Sequence, residues 1–240
     1  MADISLPAVA SRRILIRLLV NSQFLTELVL KHPDYLRRLT ESRRLAEVRS
    51  RDEFLTDLRL AACEAESDAI DAIRRTQRWE LLRIAACDCF GLMDLRRITL
   101  QLSLLADATI QAVLEVATEG VARSVSGSGV PLTVVALGKL GGEELNYSSD
   151  IDLLFLSDSP DAGTLKIAQQ LVRELGRMTG EGFLYRVDMR LRPWGRSGPW
   201  WRTSPPTENT WKRTLPRGKL QSWSRPGSSP GPVGRRPSVG

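Results

Sequence analysis

The sequence predicts an α+β chain: an N-terminal helical segment, then a small mixed sheet, then a disordered C-terminal tail. Three observations carry that expectation. Apolar residues recur at helical spacing through the first half, short β-branched and apolar runs gather after residue 131, and beyond residue 199 the chain turns to Pro, Ser, Gly, Arg and Trp. The boundaries that follow are 1–123 for the helical region, 124–131 for a linker, 132–199 for the sheet-bearing core and 200–240 for the tail.

Ile14, Leu15, Leu18 and Leu19, then Phe24, Leu25, Leu28 and Val29, keep the helical period, with breaks near Asn21 and at His32-Pro33. Pro33 suits the first position of a helix, where its missing N–H would have no intrahelical partner, and Tyr35, Leu36 and Leu39 then share one side. His32 sits at that junction without a Ser, Cys or Asp partner at catalytic spacing and reads as a turn residue. Ser50 followed by Glu53 forms a capping box for a long helix carrying Phe54, Leu55, Leu58, Ala61, Ala62, Ala65 and Ala69. A further helix is expected around Trp79–Phe90, and another from about Asp94 to Val121 with Ile98, Leu102, Leu105, Thr109, Ala112 and Val113 on its apolar side. These helices read as scaffold. Ser124 to Pro131, S-V-S-G-S-G-V-P, is the connector that ends them.

Thr133 to Leu137 is expected as a buried strand feeding Gly138, Gly141 and Gly142, residues that let backbone N–H groups approach a phosphate closely. Asp150 and Asp152 stand either side of Ile151 and open a second apolar run, Leu153 to Leu156. Side chains alternate along a strand, so both carboxylates point to one face. Two like charges so close repel unless a cation sits between them. Hard oxygen ligands suit magnesium, which takes one or two carboxylates and completes its shell with water and substrate phosphates. A glycine pair or a D-x-D alone is common in loops; the order strand, glycine turn, D-x-D, strand reads as a phosphate cradle beside a magnesium site.

Leu165, Ala168, Leu171, Val172, Leu175 and Met178 trace an amphipathic helix stopped by Gly180, and Phe183 to Leu191 is expected as a third strand. Asp188 lies within it and shares a face with Arg186, Arg190 and Arg192. That face is either a solvated one with cross-strand ion pairs, or a third carboxylate completing a two-metal site beside arginines that bind phosphate.

Gly138 to Phe155, G-K-L-G-G-E-E-L-N-Y-S-S-D-I-D-L-L-F, resembles the signature of the glutamine synthetase adenylyltransferase family, whose members attach AMP to, and remove it from, a tyrosine of glutamine synthetase. Val187 to Pro199, V-D-M-R-L-R-P-W-G-R-S-G-P, resembles its second signature, and the stretches from Trp79 and Leu102 resemble the segment preceding its catalytic unit. The resemblance covers most of residues 11–199. It implies a nucleotidyltransferase fold of the DNA polymerase β-like superfamily, with Asp150, Asp152 and Asp188 as catalytic metal ligands for Mg2+. It further implies Gly141 and Gly142 under phosphate oxygens of ATP or ADP, and Lys139, Arg190 and Arg192 as phosphate contacts. The local wording is closer to the N-terminal, deadenylylating unit. Implied partners are glutamine synthetase and the nitrogen-signalling PII regulatory protein. The span between Asp152 and Asp188 is shorter than expected of relatives, consistent with a shortened loop that keeps the metal ligands, and the family pattern is truncated after Gly198 and Pro199.

The tail departs from that pattern. Seven of 13 prolines and four of six tryptophans fall in residues 200–240, too little patterned apolar surface to offset the cost of ordering them. The expectation is a shifted reading frame or misassembled gene; the rival is a basic tail binding nucleic acid through Trp and Arg. The net charge of +6 resides there, since the tail carries two lysines and six arginines against Glu208 and the rest of the chain nets to −1. Nucleic acid is therefore not the expected partner of the core, although an inactive remnant and a nucleotidyltransferase for another acceptor stay open as alternatives. No apolar run approaches a membrane span and the N-terminus lacks a secretory pattern, so the expected location is the cytoplasm. Cys63, Cys87 and Cys89 have poor zinc spacing and are expected as reduced core residues.

Overall fold

The computed structural model describes residues 22–42, 45–123, 132–157 and 161–188, the single positions Ile16 and Val20, and the backbone of Trp201–Arg202 and Gln221–Ser224. Ile16 and Val20 are helical, and the first helices with described bounds are α1 (Gln23–Lys31) and α2 (Pro33–Glu41), with His32 as the residue between them and Pro33 opening α2 as expected. Ser22 caps α1, its hydroxyl accepting from the Leu25 N–H at 3.3 Å.

The capping box at the start of α3 (Arg51–Cys63) forms as read: Ser50 Oγ accepts from the Glu53 N–H at 3.3 Å and Glu53 accepts from the Ser50 N–H at 2.8 Å. Such a cap contributes about 1 kcal/mol. The helix does not run on to Ala69, however. Asp68 takes the N-cap of α4 (Ala69–Cys89), accepting from the amides of Ile70 and Asp71 at 2.8 and 3.2 Å, and this cap overrides the alanine periodicity. As a result α4 begins well before Trp79. Asp94 then caps α5 (Leu95–Ala122), which covers the expected span.

By length and composition α5 passes as a membrane-spanning helix, a property the sequence reading assigned to no segment. In the fold 78% of its apolar window is buried. Leu105, Ala106, Ala108, Ile110, Val113 and Leu114 have no solvent exposure, and α5 packs on α3, α4 and α7 (Ala162–Gly176), which makes it the central helix of the core.

The sheet is mixed, as predicted. β1 (Thr133–Leu137) runs antiparallel to β2 (Ile151–Leu156), and β2 runs parallel to β3 (Val187–Asp188). Val134, Ala136, Ile151, Leu153 and Phe155 belong to the same core as the helices, whereas Val135, Leu137 and Leu154, backed by Leu156, form a separate small cluster. Alternation places Asp152 with Leu154 and Leu156, so the helices cover one face and the carboxylate belongs to the other.

The third strand starts later than expected, at Val187 rather than Phe183. The amides of Leu184 and Tyr185 both donate to the Leu175 carbonyl, at 3.0 and 2.9 Å, and the Phe183 carbonyl accepts from Arg78. With those groups engaged by helices, pairing among the described residues begins at Val187 and covers Val187–Asp188, and residues beyond Asp188 lie outside the described residues. Two tail segments depart from the expected disorder: β4 (Trp201–Arg202) pairs with the end of β2, and β5 (Gln221–Ser224) with β1. The unpaired backbone groups of an open sheet edge are a template for such pairing. The remainder of the tail and the connector at 124–131 lie outside the described residues.

Candidate active site

A cavity of about 440 Å³ opens where β1 ends and β2 begins, lined by Gly138, Lys139, Asn146, Ser148, Ser149, Asp150, Asp152 and Asp188. Its walls follow from register. Leu137 pairs with Asp152 and Asp152 pairs with Asp188, so the strand end that feeds Gly138, the D-x-D pair and the later aspartate stand side by side. Directly paired residues point to the same face, which brings the Asp152 and Asp188 carboxylates together across a parallel pair.

The glycine at the cavity is Gly138. Its backbone is left-handed (φ 57), and a side chain there would overlap Oδ2 of Asp152. Gly138 thus meets both requirements that exclude a Cβ: the conformation and the close approach. Gly141 and Gly142 occupy a different place. Gly138–Gly141 is a single helical turn, α6, in which Gly141 is buried, and the Gly142 amide donates to the Gly138 carbonyl at 3.0 Å. Neither lines the cavity, and the Gly142 N–H already has its acceptor.

Asp150, Asp152, Asp188 and Lys139 are therefore brought together as the sequence implied, while Arg190 and Arg192 lie outside the described residues. Asn146, Ser148 and Ser149 were missed as lining residues, and Arg186 was read only as one of the arginines sharing the face of Asp188. Arg186 donates through Nε to Asp150 Oδ1 at 2.7 Å and through Nη2 to the Ser148 carbonyl at 3.0 Å, bridging two residues of the cavity lining. The signal available for the missed three was the run of amide and hydroxyl side chains before Asp150.

The donor set can be tested against magnesium. Among the described residues, no three His, Cys, Asp or Glu side chains are gathered closely enough to hold an ion on their own. Magnesium does not require that: one or two carboxylates suffice, with water and substrate phosphate completing an octahedron. The paired Asp152 and Asp188 beside an open polar cavity fit that form, and Asp150 stands next to them with one oxygen engaged by Arg186.

The cysteines divide. Cys87 is buried and burial pushes its thiol up to about 11, Cys89 is half-buried, and Cys63 at the last position of α3 is exposed, not a core residue.

The sequence pattern of the glutamate-ammonia ligase adenylyltransferase family matches residues 13–209, extending past Pro199 into the tail. The chain is 35% identical over 198 residues to a bifunctional glutamine synthetase adenylyltransferase/adenylyl-removing enzyme of Shewanella loihica, covering 74% of this chain and 20% of that one. The protein of the same description from Shewanella woodyi is 34% identical over 207 residues, 77% of this chain and 21% of its own. That from Neisseria meningitidis serogroup B is 40% identical over 144 residues, 58% and 16%. The chain spans about a fifth of the length of the first of these relatives.

Proposed function

The chain belongs to the glutamate-ammonia ligase adenylyltransferase family, and from that premise we propose that its cavity handles the adenylyl group on a tyrosine of glutamine synthetase, in the direction of removal. The observation that carries this reading is the register Leu137↔Asp152↔Asp188, which sets two carboxylates beside Lys139 and Gly138 in one polar cavity. The names of the relatives cover both attachment and removal of the adenylyl group. The wording L-N-Y-S-S-D-I-D and Y-R-V-D-M-R-L-R-P favours removal.

In that reaction an oxygen of inorganic phosphate attacks the phosphorus of the tyrosyl-AMP. The bond from phosphorus to the tyrosine oxygen breaks, ADP forms, and the tyrosine recovers its hydroxyl proton. Asp152 and Asp188, with Asp150 beside them, would hold Mg2+, which would supply charge neutralisation of the phosphates and alignment of the reacting oxygens. Lys139 contributes a positive charge at the cavity mouth for the incoming phosphate. Arg186 holds Asp150 and the Ser148 carbonyl in place, and the polar edge of Asn146, Ser148 and Ser149 offers hydrogen bonds to the nucleotide. Glutamine synthetase is the proposed partner, with a PII-type protein as regulator.

The test is release of ADP from adenylylated glutamine synthetase supplied with magnesium and phosphate, comparing the 240-residue chain with its Asp150→Asn, Asp152→Asn variant. ADP that disappears with the double substitution is the expected result. A folded chain that yields none, in either direction of transfer, makes it a remnant of the catalytic unit.

A further inference from the structure

The helices read as scaffold make direct contact with one wall of the cavity. That wall is the loop Asn146–Ser149, whose Asn146, Ser148 and Ser149 line the cavity, the first two exposed and Ser149 half-buried. Within itself the loop is held by a turn: the Ser149 amide donates to the Asn146 carbonyl at 3.2 Å and Ser149 Oγ to Asn146 Oδ1 at 2.5 Å. A turn fixes the loop's shape but not its place.

Its place comes from two residues that flank or interrupt the lining set. The amide of Leu145 donates to Ser103 Oγ on α5 at 3.0 Å; both residues are buried, and the Ser103 hydroxyl itself donates to the Thr99 carbonyl at 2.8 Å. Tyr147 donates its phenol to Asp88 Oδ2, near the end of α4, at 3.1 Å. Burial of the hydroxyl, followed by the nearby Asp88 carboxylate, raises the phenol's pKa, so it stays a donor throughout the neutral range. One anchor is buried and one is at the surface, and they come from different helices.

We propose that Ser103 and Tyr147 are positioning residues for this wall, so that the helical region sets how tightly the cavity holds a nucleotide. The nucleotide half of this inference rests on the transferase reading above; the anchoring half does not. Ser103→Ala leaves the Leu145 N–H buried without its acceptor, and Tyr147→Phe keeps the ring while deleting the donor. Asp88→Asn keeps an oxygen that accepts from Tyr147 and serves as the conservative control.

The experiment compares amide hydrogen exchange in peptides covering residues 145–150 with peptides from α5, using the 240-residue chain and these three variants. It is paired with titration of each by ADP and magnesium. The expected result is exchange at 145–150 about five- to tenfold faster in Ser103→Ala and about threefold faster in Tyr147→Phe, with α5 unchanged and Asp88→Asn near the parent. ADP affinity weakens by similar factors, and KM for adenylylated glutamine synthetase rises while kcat holds. Exchange that rises throughout the chain, or nowhere, overturns the anchoring. Faster loop exchange with unaltered ADP affinity overturns the link to ligand. A parent chain that binds no ADP overturns the removal reading and the ligand half with it, while the exchange comparison still decides the anchoring.

Discussion

Arg186 Nε lies 2.7 Å from Asp150 Oδ1, and the same guanidinium donates to the Ser148 carbonyl at 3.0 Å. Both side chains are about half exposed or more, at 62% and 49%. Solvent screens such a pair to about 0–1 kcal/mol of stability, so its value lies in geometry. Arg186→Met is therefore expected to leave the unfolding midpoint in urea nearly unchanged while lowering deadenylylation about 10- to 100-fold, the range seen when a group that orients a metal ligand is removed. Arg186→Lys, which keeps the charge and loses the fork, should recover only part of the rate.

Gly138 and Gly142 should respond oppositely to alanine. Gly138→Ala meets left-handed backbone, costing about 1–2 kcal/mol, and overlaps Asp152 Oδ2 as well. Loss of ADP production of about 100-fold or more is expected, beyond what the stability loss explains. At Gly142 the new Cβ meets the Gly138 carbonyl at 3.4 Å and Glu144 Cδ at 3.8 Å with φ at −82°, so Gly142→Ala should change stability by less than about 1 kcal/mol. Urea unfolding and initial rates on the two variants check both halves.

Glu181 ties the α1–α2 junction to the turn before β3, accepting from His32 Nε2 at 2.9 Å and pairing with Lys31 Nζ at 3.1 Å. Burial opposes its ionised form, but the hydrogen bonds from Lys31 and His32 outweigh it and hold the carboxyl below its ordinary value. A carboxylate depressed on folding adds stability above its unfolded pKa of about 4.3 and loses it as pH falls through the lower folded value. Glu181→Gln should thus cost about 1 kcal/mol at pH 7. Urea titrations at descending pH should show parent and variant converging below about pH 4.

Thiol chemistry gives a check on the helical core. With iodoacetamide at pH 8 the exposed Cys63 should label first, while Cys87, buried and with its thiol raised to about 11, should label only in denaturant. Peptide mass mapping of the native chain distinguishes the two; rapid native labelling of Cys87 contradicts its burial in α4.

Much of the fold was legible because its signals are local. The Ser50–Glu53 box, Pro33 at a helix start, the period of α5 and the apolar run of β1 each announce themselves within a few residues, and all four stand in the structure. Misread positions are those where a distant or competing partner decides. Asp68 won a cap that alanine spacing had hidden, and the first carbonyl of the expected third strand, Phe183, was taken by Arg78, a residue of α4. At the site, alternation correctly put Asp150 and Asp152 on one cavity. It could not reveal that Asp188 faces Asp152 or that Arg186 takes Asp150, since both depend on the register between strands.

The parallel pairing of β2 with β3 has a consequence for how the chain acquires its site. Parallel neighbours cannot be joined by a tight turn, so the chain leaves β2, forms α7, and only then returns to place Asp188 against Asp152. Closing that long excursion must be paid in entropy before any contact rewards it, which makes the pair a late, non-local product of folding. During synthesis the D-x-D strand emerges from the ribosome well before its counterpart. The nascent chain therefore carries its long helices and its D-x-D strand before it carries the aspartate that pairs with that strand across the sheet.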